Sequence, residues 1–262
     1  MQINEKIRYE KDEHLTILRV TESAYLIEDD RNATGYIVIG TEKALVVDTL
    51  FGYSDHLELV RSLTALPVVV VNTHAHGDHT GGNRYFESAY MGEAELEVYE
   101  RAVKARPEGA PLPCPGMVMR EGDVIDLGDR KIEAISFAGH TPGALCLLDC
   151  KERVLYTGDS ILGRTVWMFM DNSAPVSVMK KSLEHVNEYR AGFDRLATGH
   201  GRVLDPVCFI DALIAACDTI LTSAPAENLG VTEIWGRELP CCYYPGEDGM
   251  QATLVYREDL AR

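Results

Sequence analysis

Three imidazoles and one carboxylate fall within six consecutive positions, His74-Ala75-His76-Gly77-Asp78-His79. Neutral imidazole and carboxylate oxygen are donors that zinc, iron and manganese accept, so the chemistry on offer is that of a metal centre. In an irregular loop, His74 and His76 can point to the same side, while Asp78 and His79 fall on the next bend and face a neighbouring point. One loop could therefore serve two cations a few ångströms apart. Two four-coordinate ions need more than four donors, so further ligands must come from elsewhere in the chain. A merely polar, histidine-rich surface loop is the competing reading, and it fits poorly with positions that directly follow a buried strand.

Three more tips offer such donors. Phe137-Ala138-Gly139-His140-Thr141-Pro142-Gly143 places a histidine after glycine, where a strand ends and the backbone must bend. Val154-Leu155-Tyr156-Thr157-Gly158-Asp159 ends another apolar run on a carboxylate, and Thr198-Gly199-His200-Gly201 frames a histidine with glycines. Asp48, after Ala44-Leu45-Val46-Val47, reads either as a turn residue or as a partner that holds a metal-bound histidine. His14, His56 and His185 read as surface or boundary residues.

The elements that must carry these residues show as runs and periods. Val68-Val69-Val70-Val71 after Pro67 predicts a strand buried on both faces, because β-branched residues suit a pleat and proline is tolerated at its start. Stretches 15–20, 24–27, 36–39 and 44–47 predict an antiparallel meander, with a polar loop over 28–35. Leu57, Leu59, Val60, Leu63 and Leu66 have helical spacing behind the N-cap candidates Ser54 and Asp55, and this helix leads straight into the valine strand. Helices are also predicted over 93–105, whose charged face reads as solvated, over 175–190, and over 205–221 with Pro206 in its first turn. Strands are predicted over 124–127, 132–137, 144–148, 154–156 and 195–197, and two or three more over 231–256. No break in composition marks a boundary, so residues 1–262 read as one domain.

A formal charge of −16 argues against a nucleic-acid surface and against anchoring to anionic membranes. No stretch approaches the roughly 18 apolar residues of a membrane span. Residues 1–8 lack an apolar run behind their charges, which predicts no signal peptide. Seven scattered cysteines without Cys-x-x-Cys spacing fit a reduced, cytoplasmic protein, and Cys241-Cys242 reads as two separately packed thiols.

Taken in order, Asp48, the His-x-His-x-Asp-His run, Gly139-His140, Gly158-Asp159 and Gly199-His200-Gly201 resemble the metallo-β-lactamase-fold hydrolases over residues 36–201. That superfamily includes hydroxyacylglutathione hydrolases and quorum-quenching lactonases. The resemblance implies an α/β fold, a four-layer αβ/βα sandwich of two mixed β-sheets flanked by helices. It places His74, His76 and His140 on one divalent metal ion, Asp78, His79 and His200 on a second, and Asp159 between both. Zinc is the expected metal, with iron or manganese as alternatives. Asp78 is also the expected catalytic residue, orienting a hydroxide between the ions and later carrying a proton toward the leaving group.

The implied reaction is hydrolysis of a carboxylic ester, thioester or lactone of a small-molecule substrate by a hydroxide bridging two cations roughly 3.5–4 Å apart. Iron-dependent persulfide dioxygenases share the fold, with one iron on the equivalents of His74, His140 and Asp159, and form the alternative. β-Lactam hydrolysis ranks lower because those enzymes usually carry Cys or Ser at or near the position of Asp159; phosphodiester hydrolysis ranks lower because the chain is acidic. Trp167-Met168-Phe169-Met170 reads either as a substrate wall over the metals or as core or a dimer contact, which keeps a homodimer open.

Overall fold

The computed structural model describes residues 3–30, 33–222 and 226–262; Arg31 and Asn32 of the predicted polar loop, with Met1 and Gln2, lie outside the described residues. The N-terminal part forms β1 (Glu5–Ile7), β2 (Leu15–Arg19), β3 (Ala24–Asp29), β4 (Thr34–Ile39) and β5 (Ala44–Val47), paired antiparallel in sequence order as expected. Pairing changes direction after β5. Helix α1 (His56–Leu63), capped by the Asp55 carboxylate accepting from Glu58 N, carries the chain back so that β6 (Val68–Val71) lies parallel to β5. Val70 and Val71 are buried whereas Val68 and Val69 are half-buried, so only the end of this strand is enclosed on both faces. The single-turn α2 (Gly77–Thr80) follows, then β7 (Ala89–Gly92), α3 (Glu93–Lys104) and β8 (Gly116–Met119).

β9 (Val124–Asp126), β10 (Lys131–Phe137), β11 (Ala144–Asp149) and β12 (Val154–Gly158) start the second sheet; β13 (Thr165–Met168) leaves it. After α4 (Val176–Glu188), β14 (Arg195–Thr198) pairs parallel with β12, and β15 (Asp205–Pro206) precedes α5 (Cys208–Thr222). Pro206 thus pairs with Arg195 in a strand, outside the first turn of α5 where the sequence puts it. The chain ends with β16 (Leu229–Ile234), β17 (Arg237–Pro245) and β18 (Gln251–Tyr256).

Among the described residues, β1 to β8 form one mixed sheet in sequence order, and β15-β14-β12-β11-β10-β9 form the other. Their inner faces meet through Leu26, Val38 and Val47 on one side and Ala134, Leu147 and Tyr156 on the other. Leu59 and Val60 of α1 cover the outer face of the first sheet, and Met179, Leu183 and Leu213 of α4 and α5 cover that of the second. This is the expected four-layer sandwich. The tail departs from it: β16, β17 and β18 join β13 in a third sheet, ordered β13-β18-β17-β16, which packs on α5 through Cys242, Tyr244 and Leu254. A helix covered from two sides must be apolar over most of its girth, and Phe209, Ile210, Leu213, Ala216, Cys217 and Ile220 are all buried. Cys242 faces this core while Cys241 faces the opposite side of β17, as neighbours on a strand must, and both thiols are free.

His56 is a correction to its reading as a surface or boundary residue. It is 2% exposed, and its Nε2 has no hydrogen-bond partner. Burial pushes this imidazole down to about 4, against a weaker opposing pull from Asp55. The unfolded chain protonates near 6.5, so between those values the folded state binds fewer protons and stability falls as pH drops. We expect this one residue to cost roughly 2 kcal/mol between pH 7 and pH 5. The check is the urea midpoint at both pH values, with His56→Phe expected to lack that part of the loss.

Candidate metal centre

Strand register, more than any local motif, decides where the polar tips meet. β5 and β6 run parallel with Val47 beside Val71, so Asp48 and Thr73 emerge together. Asp48 accepts from Thr73 N at 2.7 Å and from Thr73 Oγ1 at 2.8 Å, bonds that hold its unusual left-handed backbone at φ 60°. In the second sheet β12 and β14 are parallel, with Gly158 beside Thr198 and an irregularity between Tyr156 and Gly158 that re-aims the chain at Asp159. Gly158 has φ 50°, and a Cβ there would lie 2.1 Å from Thr73 Oγ1, so glycine is required both by backbone and by space. Gly199 N donates to Gly158 O at 2.8 Å and sets His200 beside Asp159; a Cβ on Gly199 would lie 2.2 Å from Asp159 Oδ1.

All seven candidate ligands come together here. His74, His76 and His140 form one group, Asp78, His79 and His200 another, and Asp159 joins His74 and His79, with ligand atoms in each set within 4.8 Å of one another. His76 Nδ1 lies 3.1 Å from His74 Nε2 and 2.9 Å from His140 Nε2. Nitrogens about 2.0–2.1 Å from a tetrahedral cation stand roughly 3.3 Å apart, so this spacing suits one small ion. Around Asp159, His79 Nε2 is 3.4 Å from Oδ1, while His200 Nε2 and His140 Nε2 are 3.2 Å and 3.7 Å from Oδ2. Asp78 Oδ2 stands 3.7 Å from His79 Nε2 and 3.6 Å from His200 Nε2. Asp78 and His79 sit on the single turn of α2, where the sequence suggested an irregular bend.

The donors fit divalent cations. His79 Nε2 and Asp159 Oδ1 are buried without hydrogen-bond partners, an arrangement a cation would satisfy. Burial, helped by its neighbouring histidines, holds His74 well below the ordinary histidine range, and burial pushes His140 down to about 4. Both therefore stay neutral, as ligands must. At His79, burial opposes the charged form, yet Asp159, Asp48 and Asp78 outweigh it and raise the imidazole well above its usual range. A pocket whose carboxylates favour positive charge this strongly is also one that favours a metal ion.

Three of the imidazoles are anchored from behind. His79 Nδ1 is 2.9 Å from Asp48 Oδ2, His140 Nδ1 donates to Trp167 O at 2.6 Å, and His74 Nδ1 is 3.1 Å from Thr73 Oγ1. Of the two readings of Asp48, the structure bears out the orienting partner. Such anchors typically govern metal affinity by roughly 10–100-fold, and Asp48→Asn is expected to weaken zinc binding by that factor in a competitive chelator titration. Affinity within about twofold of the parent would reject the role.

Glu95 was hidden in the sequence behind a charged helix face read as solvated. It is fully buried, and its carboxylate accepts from Ala75 N and Gly143 N, both at 2.8 Å. The available signal was its place four residues before buried Tyr99, on the inward stripe of α3. The Trp167 carbonyl left no such signal, since no residue type announces a backbone anchor for a distant histidine.

The sequence profile described as the metallo-beta-lactamase superfamily matches residues 29–204. Acyl-coenzyme A thioesterase MBLAC2 of Gallus gallus is 26% identical over 205 residues, covering 66% of this chain and 74% of that protein. Atrochrysone carboxyl ACP thioesterase of Claviceps purpurea is 29% identical over 156 residues, 58% of this chain and 47% of that one. The chain spans about half to three quarters of the length of the curated relatives it matches. Among solved structures, DIM-1 metallo-beta-lactamase superposes with a TM-score of 0.63 at 18% identity, covering 79% of this chain and 98% of its own. That likeness is one of fold.

Proposed function

This chain belongs to the metallo-beta-lactamase superfamily and is a metal-dependent hydrolase; within that class we propose that it hydrolyses acyl thioesters at a dinuclear zinc centre. The observation that carries this reading is the convergence of seven donors around two buried ligand atoms, His79 Nε2 and Asp159 Oδ1, which face each other at 3.4 Å and make no hydrogen bond. His74, His76 and His140 would hold one ion, Asp78, His79 and His200 the other, and Asp159 would reach both. Cations held there would supply positive charge that polarises a carbonyl and makes water acidic enough to attack near neutral pH.

The protein's own groups do the rest. Asp48, Thr73 and the Trp167 carbonyl keep the imidazoles turned inward, so little reorganisation is needed when charge develops. Asp78 has a quarter of its side chain open to solvent while its carboxylate faces His79 and His200. It is placed to orient the attacking water and to pass a proton outward to the leaving group. Thiols ionise near 8.5, so a thiolate departs with little help, and a carboxylate suffices where an amide would need a stronger acid. The thioesterase names of the relatives point the same way.

The test is the zinc- and the manganese-loaded protein assayed against acyl-coenzyme A thioesters, lactones, aryl esters, β-lactams and phosphodiesters, with metal content measured alongside. Thioesters are expected to lead, with two ions per chain. Oxygen uptake with a persulfide by an iron-loaded, single-ion form, without thioester turnover, would instead establish the dioxygenase.

A further inference from the structure

Both tryptophans of the chain stand in one aromatic cluster with Phe169. Trp235 packs edge-on against Trp167 with ring centroids 5.0 Å apart, and lies 5.7 Å from Phe169. This cluster belongs to the third sheet, yet it touches the metal centre directly. Trp167 O receives the hydrogen bond of His140 at 2.6 Å. The strand that carries Trp167 therefore lies against the centre.

Trp235 is the anomaly. Ile234 pairs with Arg237, so Trp235-Gly236 is a two-residue hairpin turn, with φ of 52° and 72° at its two positions. Left-handed backbone at both positions is what this turn needs, and Asn or Gly adopts it most readily. A tryptophan there is strained, and this one is also 67% exposed. Packing on Trp167 and Phe169 covers only part of the indole, and a ligand is the simplest reason for the strained, exposed remainder.

We propose that Trp235 and Trp167 form an apolar subsite for the acyl chain of the substrate, supplied by the third sheet and opening from the metal centre. The proposal rests on the hydrolase reading above and adds the substrate class, acyl groups long enough to leave the centre. Imidazoles and carboxylates offer an acyl chain no apolar contact, whereas rigid indole faces at the rim do so with little loss of side-chain freedom. An acetyl group ends too soon to use them.

Trp235→Asn removes the indole and suits the turn, so the variant is expected to fold and to retain its metal. Its kcat/KM for octanoyl-coenzyme A should fall roughly tenfold, mainly through KM, while that for acetyl-coenzyme A stays within about twofold. Intrinsic fluorescence gives a readout independent of turnover, because all the tryptophan is in this cluster. Decanoate should shift the emission of the parent and have little effect on Trp235→Asn. Equal losses for both acyl lengths, or no emission change with decanoate, would overturn the subsite. So would an unaltered chain-length profile accompanied by loss of a dimer in light scattering, which would make Trp235 a contact between two copies. If the parent cleaves no thioester at all, the thioesterase reading fails, and the decanoate titration still decides the subsite.

Discussion

Asp159→Asn is expected to lower kcat/KM by about 10³-fold or more and to reduce bound metal by one ion per chain. Its two carboxylate oxygens face different partners, His79 on one side and His200 and His140 on the other, so it faces members of both candidate ligand groups. Neutral imidazoles would contribute no charge against two dications, and with Asp78 this buried carboxylate would supply most of what offsets them. Asparagine keeps the size and one weak oxygen donor but removes the charge. Elemental analysis of the purified variant, beside steady-state kinetics, separates loss of an ion from loss of geometry. A variant with two tightly held ions and ordinary turnover would remove Asp159 from the centre of the mechanism.

For Glu95→Ala we expect a fall in folding stability of roughly 3 kcal/mol, with weaker metal binding as a consequence. The Glu95 carboxylate satisfies one buried and one partly buried backbone N–H group. The first belongs to Ala75, between candidate ligands His74 and His76; the second belongs to Gly143, three residues after candidate ligand His140. The substitution therefore orphans both donors and unties the two loops that form the first ligand group. Glu95→Gln retains one acceptor and should cost about half as much. Urea unfolding at constant m-value measures both, and a loss below about 1 kcal/mol for alanine would show that the loops are held by other contacts.

The seven candidate ligands were readable because their surroundings carry strong local signals. A run of valines ending in three histidines, or an apolar run ending in Gly-His or Gly-Asp, follows from the chemistry of a buried strand that stops at a polar edge. Helix spacing placed α1, α3 and α4 for the same reason, since periodicity is a property of neighbouring residues. Glu95 was misread because a buried acid looks like its exposed neighbours until its hydrogen-bond partners are known. His56 was misread for the matching reason, as nothing local says that the loop after Gly81 covers it.

What the sequence by itself determined is the set of candidate ligating side chains and the strands that end in them. Tertiary structure decided which tips face one another: His76 meets His140 across 64 residues, from one sheet to the other, and His200 meets Asp159 across 41, through the parallel β12–β14 register, and no local pattern encodes either. It also decided that the tail folds as a third sheet against α5 and brings Trp235 to Trp167. Hydrogen bonds and packing between distant segments form only once the chain has closed on itself, so the residues they join carry no mark of it in advance.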